Sequence, residues 1–247
     1  MRAMLLVLCG WLHMAAAGDS SEARIAIIID DLGNNRALGL SAIELPGAVT
    51  YAVLPQRPYS REIAGLAHAA GGEVMLHLPM QATNDRPLGP GGLVAGMERH
   101  QFAKTVREGV AAIPHVAGVN NHMGSLLTRQ TEAMRWLMEE LSCIGGLYFV
   151  DSRTDVRTVA RQQAEHAGLA HAKRDVFLDN STDPDAIRTQ LDRLVERARR
   201  HGSAIGIGHP YPETLAVLAE YLPRLASRQV ELVPFADFGH GWNERRN

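Results

Sequence analysis

Several apolar runs of this sequence end in, or lead directly into, side chains that can ligate a metal or carry a proton. They are Asp30 and Asp31 after the first run, His77 within the third, and His122, Asp151 and His209 at later ones. One carboxylate with two imidazoles is a donor set suited to Zn²⁺ and to other divalent first-row metals. Three protein ligands leave positions open for water and substrate, which is typical of a catalytic site. The pattern therefore predicts a metal-assisted reaction.

A second carboxylate beside a ligating one adds acid–base chemistry to such a site. It can accept the proton of a water whose pKa the metal lowers from near 16 to roughly 7. A histidine on the opposite side of the site can then protonate the leaving amine. These residue types together are typical of a hydrolase that cleaves an amide or ester bond.

Each of these residues, taken alone, also has a purely structural explanation. Asp30 or Asp31 could cap the helix that follows. His77 could be a hydrogen-bonded core histidine, and Asp151 could simply pair with Arg153. What favours a functional site is that all of them fall at the same end of the predicted strands.

These side chains can meet only if their strands run parallel, because chemistry in parallel α/β folds lies at the carboxyl ends of the strands. Continuous apolar runs predict strands buried on both faces, at 25–29, 48–54, 73–78, 118–120, 148–150, 176–178, 204–207 and 230–235. Helical spacing predicts helices at 59–70, 131–144, 185–200 and 212–225. The alternation predicts an α/β fold, a (β/α) barrel of parallel strands that is incomplete or distorted and seven-stranded. A doubly wound open sheet is the rival architecture.

The composition and the first residues indicate an exported globular protein. Charged residues make up 21% of the 247 residues and the net charge is −2, which argues against a nucleic-acid partner. Arg2, the apolar run at 3–12 and Ala15-Ala16-Ala17 predict a signal peptide over residues 1–17. Residues 18–238 then form one domain and 239–247 a polar tail. We expect a periplasmic or secreted protein with no stable membrane anchor after cleavage, and a buried Cys143 in the helix at 131–144.

The motifs at the strand ends, taken together, resemble the divergent branch of the polysaccharide deacetylase superfamily. The resemblance extends over about residues 25–235. The matching segments are Ile29-Asp30-Asp31-Leu32-Gly33, residues 50–55, Met75-Leu76-His77-Leu78-Pro79-Met80, Asn120-Asn121-His122-Met123-Gly124-Ser125, Phe149-Val150-Asp151-Ser152-Arg153-Thr154, residues 174–179 and Gly206-Ile207-Gly208-His209-Pro210.

The resemblance implies a role for each matching residue. Asp30 corresponds to the general base and Asp31 to a metal ligand, while His209 corresponds to the late-strand histidine that acts as general acid. His77 corresponds to the first histidine of the family's H-x-x-x-H metal motif. The fifth position of that motif is Gln81 here, and we expect His122, from the next strand, to replace the missing ligand.

Four further residues are expected around the ligands or the substrate: Asp151, Arg153, Gln81 and Asn121. Asp151 would orient His209 or a metal ligand. Arg153 would either stabilise the developing oxyanion or pair with Asp151, and pairing is the interpretation we favour.

The implied function is metal-dependent removal of N-acetyl or related acyl groups from an envelope or extracellular glycan. The cofactor expected is one divalent ion, with zinc the first choice. The alternative is a catalytically degenerate domain that binds a glycan or an envelope protein partner. A barrel phosphoesterase is a third interpretation, but it would need more His and Asp ligands and a basic phosphate site.

Overall fold

The structure, a computed structural model, describes residues 23–84 and 86–238. The predicted signal peptide and the polar tail lie outside the described residues. Within them, nine strands alternate with seven α-helices. The strands are β1 (Ala23–Leu32), β2 (Thr50–Val53), β3 (Glu73–Met80), β4 (Val116–Met123), β5 (Tyr148–Asp151), β6 (His171–Lys173), β7 (Val176–Phe177), β8 (Ser203–Gly208) and β9 (Val230–Leu232). The helices are α1 (Arg36–Ile43), α2 (Ser60–Ala69), α3 (Arg99–Ala112), α4 (Thr131–Ile144), α5 (Ala160–His166), α6 (Pro184–His201) and α7 (Pro212–Tyr221).

The strands form one parallel sheet in the order β6-β5-β4-β3-β2-β1-β8-β7, with β9 added beside the start of β1. No ladder joins β6 to β7 among the described residues, so the sheet curls into an incomplete barrel. This confirms the predicted parallel (β/α) barrel and excludes the doubly wound rival. Within the described residues, the sheet has nine strands instead of the predicted seven. Of the nine, only β6 has no counterpart among the eight predicted apolar runs, because it carries one apolar residue in its three.

The short segment between β6 and β7 crosses the open seam of the barrel. The backbone N–H of Arg174 donates to the carbonyl of Asp151 in β5, the strand next to edge strand β6, at 2.9 Å. The backbone N–H of Asp175 donates to the carbonyl of Ile205 in β8, the strand next to edge strand β7, also at 2.9 Å. Asp175 is itself held by the Nε atom of Arg197 on α6, 2.9 Å away. Main-chain hydrogen bonds therefore hold this segment between β5 and β8, one strand on each side of the seam.

Alternation along the strands divides the apolar residues into two cores. In β1, Ile25, Ile27 and Ile29 pack against the helices, whereas Ala26 and Ile28 point into the barrel. The inner core is small and ends in Phe235 and Phe238, which follow β9. Each strand thus presents every second residue to the barrel interior. This alternation, called parity below, decides which side chains at the carboxyl ends of the strands face inward.

The amino ends of the strands are closed by a hydrogen-bond cluster centred on Glu73. Its carboxylate accepts from the hydroxyls of Tyr148 (2.6 Å) and Thr50 (3.0 Å) and from the backbone N–H groups of Phe235 and Ala236. The ring of Phe235 lies 4.3 Å from that of Tyr148. Because this end is plugged, the opposite end of the barrel is the one open to a ligand.

The predicted helices form close to their expected bounds. The prediction at 185–200 corresponds to α6, which begins after Asp183, whose carboxylate accepts the N–H of Ala186, and ends at Gly202 with φ 81°. The expectation that Cys143 is buried was wrong: this residue of α4 is exposed, because the apolar face of the helix is turned away from it. No helix within 23–84 and 86–238 has the length and apolar composition needed to cross a bilayer.

Candidate metal site

Asp30 and Asp31 both reach the open end of the barrel, although they are consecutive residues of β1. Parity places Asp30 on the same inward face as Ala26 and Ile28. Asp31 would point outward in a regular strand, but its φ is 61°, and the pairing of β1 with β2 shifts register between Ile29 and Leu32. A left-handed residue at a bulge costs on the order of 1–3 kcal/mol and is characteristic of functional sites. Here it brings a second carboxylate to the site.

Two imidazoles from β3 and β4 meet the carboxylate of Asp31. Its Oδ1 atom lies 2.8 Å from Nδ1 of His122 and 3.1 Å from Nε2 of His77. The two ring nitrogens are themselves 3.2 Å apart. The three donor atoms therefore form a nearly equilateral triangle, with one corner from each of three strands.

This triangle fits a shared divalent ion. Ligand atoms about 2.0–2.2 Å from one Zn²⁺, at roughly 90–110° to each other, are separated by about 2.8–3.6 Å. Oδ1 of Asp31 is buried, and no donor of the described residues meets it with hydrogen-bond geometry, although two ring nitrogens are close. A buried carboxylate oxygen without a donor is costly unless a cation satisfies it. The residues present thus fit a metal, and His77, His122 and Asp31 would hold it.

Asn120 connects the candidate ligand His77 to Asp30. Its amide nitrogen donates to Oδ1 of Asp30 at 2.7 Å, so its carbonyl oxygen faces Nδ1 of His77, also at 2.7 Å. That oxygen can only accept, so Nδ1 of His77 carries the proton and Nε2 presents its lone pair to the triangle. Asn120 is fully buried on the inward face of β4. Asn120 belongs to one of the strand-end motifs, but its sequence context predicted no role for it.

The pKa values of the two carboxyls diverge. Burial alone would raise the pKa of Asp31, but the imidazoles of His122 and His77 outweigh it and hold that pKa well below its usual range. Burial dominates at Asp30 and raises its pKa, against the opposing charges of His77 and His209. The lowered pKa suits Asp31 as a metal ligand, and the raised pKa suits Asp30 as a base.

His209 reaches the site from the end of β8, across from the triangle. Its Nε2 atom lies 3.9 Å from Oδ2 of Asp31. Its Nδ1 atom lies 3.0 Å from Oδ1 of Asp179, and its backbone N–H donates to the other oxygen of the same carboxylate. Burial lowers the pKa of His209, but the hydrogen bond to Asp179 and the charge of Asp30 raise it to about 9. The raised pKa favours the protonated imidazole, which can donate a proton.

Asp179 is a positioning residue that the sequence analysis did not assign. Besides His209, its Oδ2 atom accepts the hydroxyl of Thr214 at 3.0 Å. Asp151, which was expected to orient His209 or a metal ligand, points away from the barrel interior, because it lies on the same outward face of β5 as Phe149. Its carboxylate accepts from the hydroxyl of Thr158 (2.9 Å) and from the backbone N–H of Arg153 (2.8 Å).

Of the other predicted residues, Asn121 and Arg153 line the cavity over the site, whereas the side chain of Gln81 is bound to a loop. The carboxamide oxygen of Gln81 accepts the backbone N–H of Ala95 at 2.7 Å, so its side chain holds the long loop after β3. Asn121 lies at the site, where its oxygen accepts the backbone N–H of Ser152 at 2.8 Å. The side chain of Arg153 is exposed at the rim, and only its backbone N–H contacts Asp151.

A cavity of about 500 Å³ opens over these groups. Asp30, Asp31, His77, His122 and His209 line its floor. Phe177 and Tyr211 form an aromatic wall beside His209, with ring centroids 5.5 and 5.6 Å from its imidazole. The remaining charged residues that line the cavity are Arg86, Arg153 and Arg174.

Sequence comparisons link the chain to one family. A family model described as divergent polysaccharide deacetylase matches residues 27–238. The uncharacterized protein YibQ of Escherichia coli (strain K12) is 39% identical over 212 residues, which cover 86% of this chain and 66% of that protein. A protein of Haemophilus influenzae is 33% identical over 226 residues, covering 92% of this chain and 79% of its own length. The chain thus spans slightly less than two thirds of the E. coli relative.

Solved structures share the fold. An uncharacterized protein from Agrobacterium tumefaciens C58 matches with a TM-score of 0.85 at 24% identity, over 90% of this chain and 91% of that one. The peptidoglycan deacetylase PdaC from Bacillus subtilis matches with a TM-score of 0.54 at 18% identity, over 91% and 93%. At these identities the similarity establishes a common architecture.

Proposed function

The chain belongs to the divergent polysaccharide deacetylase family, and on that premise we propose that it is a metal-dependent hydrolase of the cell envelope. Its reaction would be the removal of N-acetyl or related acyl groups from an envelope or extracellular glycan. The observation that carries the proposal is the buried Oδ1 atom of Asp31, which has no hydrogen-bond donor among the described residues and has two imidazole nitrogens within 3.1 Å. We expect zinc, because two imidazoles and one carboxylate suit it.

Each residue of the site has one task in this scheme. Asp31, His77 and His122 would hold a divalent ion, and that ion would supply Lewis-acid chemistry by polarising the acyl carbonyl and lowering the pKa of the attacking water. Asp30 accepts the proton of that water, and its raised pKa suits a base that works near neutral pH. His209, protonated and oriented by Asp179, donates a proton to the leaving nitrogen. The products are a free carboxylic acid and an amine, so atoms and protons balance.

The alternative, a domain that binds a glycan without turnover, is not favoured. Gln81 departs from the family's metal motif, but His122 supplies a third donor at ligand distance. A binding-only domain would not need a base and an acid on opposite sides of that donor set. Export is also part of the proposal and is supported by the signal-peptide pattern at residues 1–17.

The test measures metal content and acetate release on the same preparations. We expect about one divalent ion per chain and acetate release from N-acetylated oligosaccharides. Asp31→Ala should lose both, Asp30→Asn should lose turnover while keeping the metal, and Asp185→Asn on the exposed face of α6 should change neither. Retention of full metal content by Asp31→Ala would refute the site, and equal loss of metal in Asp30→Asn would make Asp30 a ligand.

A further inference from the structure

The cavity above the triangle formed by Asp31, His77 and His122 is lined by three arginines to which the proposed hydrolysis assigns no role. Asp30 and Asp31 are its only carboxylates among the described residues, and the proposed function assigns both to base and ligand roles. The three arginines Arg86, Arg153 and Arg174 line the same cavity, and none forms an ion pair with a carboxylate of the described residues. Guanidinium groups in a concave site are the usual receptors for carboxylate and phosphate.

Arg174 is fixed in place at the seam of the barrel. Its Nε atom donates to the carbonyl of Ser152 at 2.7 Å and its Nη2 atom to the carbonyl of Arg153 at 3.0 Å. The guanidinium lies over the ring of Phe177, 4.8 Å from the centroid. Burial lowers the pKa of Arg174, although the charge of Asp30 opposes this. Arg174 thus rigidifies the turn after β5 and adds an incompletely neutralised charge to the cavity wall.

The turn that Arg174 holds presents two further groups to a ligand. Arg153 has a φ of 53°, a strained conformation for a residue with a side chain, and its guanidinium is exposed at the rim. Ser152 is 5% exposed and lines the cavity, yet its hydroxyl has no hydrogen-bond partner among the described residues. A buried hydroxyl left without a partner is costly unless a ligand satisfies it.

We propose that Ser152, Arg153 and Arg174 form an anion subsite, so that the substrate is an acidic glycan whose carboxylate or phosphate lies within one sugar of the acyl group removed. This inference rests on the proposed function for its substrate class. Arg86, on the long loop after β3, also lines the cavity. Carboxylate and phosphate share the recognition chemistry, and the experiment separates them.

The test is calorimetric binding to the wild-type protein of three matched oligosaccharides, one neutral, one bearing a carboxylate and one bearing a phosphate. In each, a CH₂ group replaces the amide nitrogen, so that no hydrolysis disturbs the titration. We expect at least one acidic analogue to bind about tenfold or more tighter than the neutral one, since charge-assisted pairs to arginine supply that much. The stronger acidic analogue identifies the anion.

Two variants assign the preference to the subsite. Arg153→Gln and Ser152→Ala should each reduce the preference several-fold, measured as the ratio of the affinities for the acidic and the neutral analogue. Arg188→Gln, the same charge change on exposed α6, should preserve it. Equal affinity for all three analogues, or a preference that survives in Arg153→Gln, would overturn the inference.

Turnover of the corresponding amides is measured separately and reports on the proposed function. Acetate release without any preference in binding would leave the hydrolase standing and remove the anion subsite. A preference dependent on Arg153 without acetate release from any glycan would support the subsite and remove the hydrolase.

Discussion

The Nδ1 atom of His77 lies 2.7 Å from the carboxamide oxygen of Asn120, and this contact sets which ring nitrogen of His77 faces the metal triangle. The amide nitrogen of the same residue binds Asp30, so one buried side chain links a candidate ligand to the candidate base. Substituting the hydrogen-bond partner of a metal-ligating histidine commonly weakens metal binding by about 10–100-fold.

Asn120→Ala should therefore weaken metal binding without removing a ligand. We expect a loss of about 10–100-fold in affinity, because His77 loses the partner that fixes its tautomer and ring orientation. Competition with a chelator of known affinity measures the change. Asn180→Ala, at an exposed asparagine outside the cavity, is the control and should leave the affinity unchanged. Unaltered affinity in Asn120→Ala would show that the tautomer of His77 is set elsewhere.

Gln81 occupies the position where the family motif has a ligand, but its side chain is directed at the backbone N–H of Ala95. Gln81→Ala should leave metal content unchanged and cost about 1 kcal/mol in the free energy of unfolding, the usual contribution of one hydrogen bond. His122→Ala should show the opposite pattern, with metal lost. Metal analysis and urea denaturation measure the two effects, and metal loss in Gln81→Ala would return Gln81 to the ligand set.

Asp179 holds His209 through both its side chain and its backbone N–H. Asp179→Asn should lower kcat by about 10²-fold, the lower range for general acid–base catalysis, with KM and metal content little changed. The acid would lose the negative charge that keeps its imidazole protonated. Thr214→Val, which removes one hydrogen bond to the same carboxylate, should have a smaller effect in the same direction. If Asp179→Asn lost metal in step with kcat, Asp179 would belong to the metal site.

The sequence was sufficient to predict the parallel barrel and the strand ends at which Asp30, His77, His122 and His209 lie. Continuous apolar runs reveal buried strands well, since both faces must be apolar. They do not show which residues of a strand face the barrel interior, because the residues on both faces are apolar. Asp151 and Asp179 each follow a predicted strand, and only the structure shows that the first points outward while the second meets His209.

Two features of the site depend on contacts that no local pattern encodes. Asp31 reaches the triangle because of a bulge and a φ of 61°, which arise from its pairing with β2 and are invisible in the residues themselves. In the aromatic wall, Phe177 precedes β8 in the sequence and Tyr211 follows it, and the fold brings both rings against His209. Aromatic residues make up only 5% of the chain, yet the fold gathers two of them beside His209.

Gly118 lies in β4, the strand that carries Asn120 and His122, and it is packed against the ring of Tyr148. A Cβ atom added there would lie 2.2 Å from that ring. The ring cannot move freely, since its hydroxyl is bound to Glu73 at 2.6 Å. Gly118→Ala should therefore destabilise the protein by about 1–3 kcal/mol, the usual cost of overpacking a core, measured by urea denaturation.

Gly65→Ala is the matched control for Gly118→Ala, because Gly65 lies inside α2 and no atom falls within 4 Å of the added Cβ. Alanine is favoured over glycine in a helix interior by about 0.5–1 kcal/mol, so this substitution should stabilise the protein. The two variants make the same chemical change with opposite expected signs. Equal stability of both variants would mean that β4 can shift away from Tyr148, and the strand would then hold Asn120 and His122 less rigidly than the packing implies.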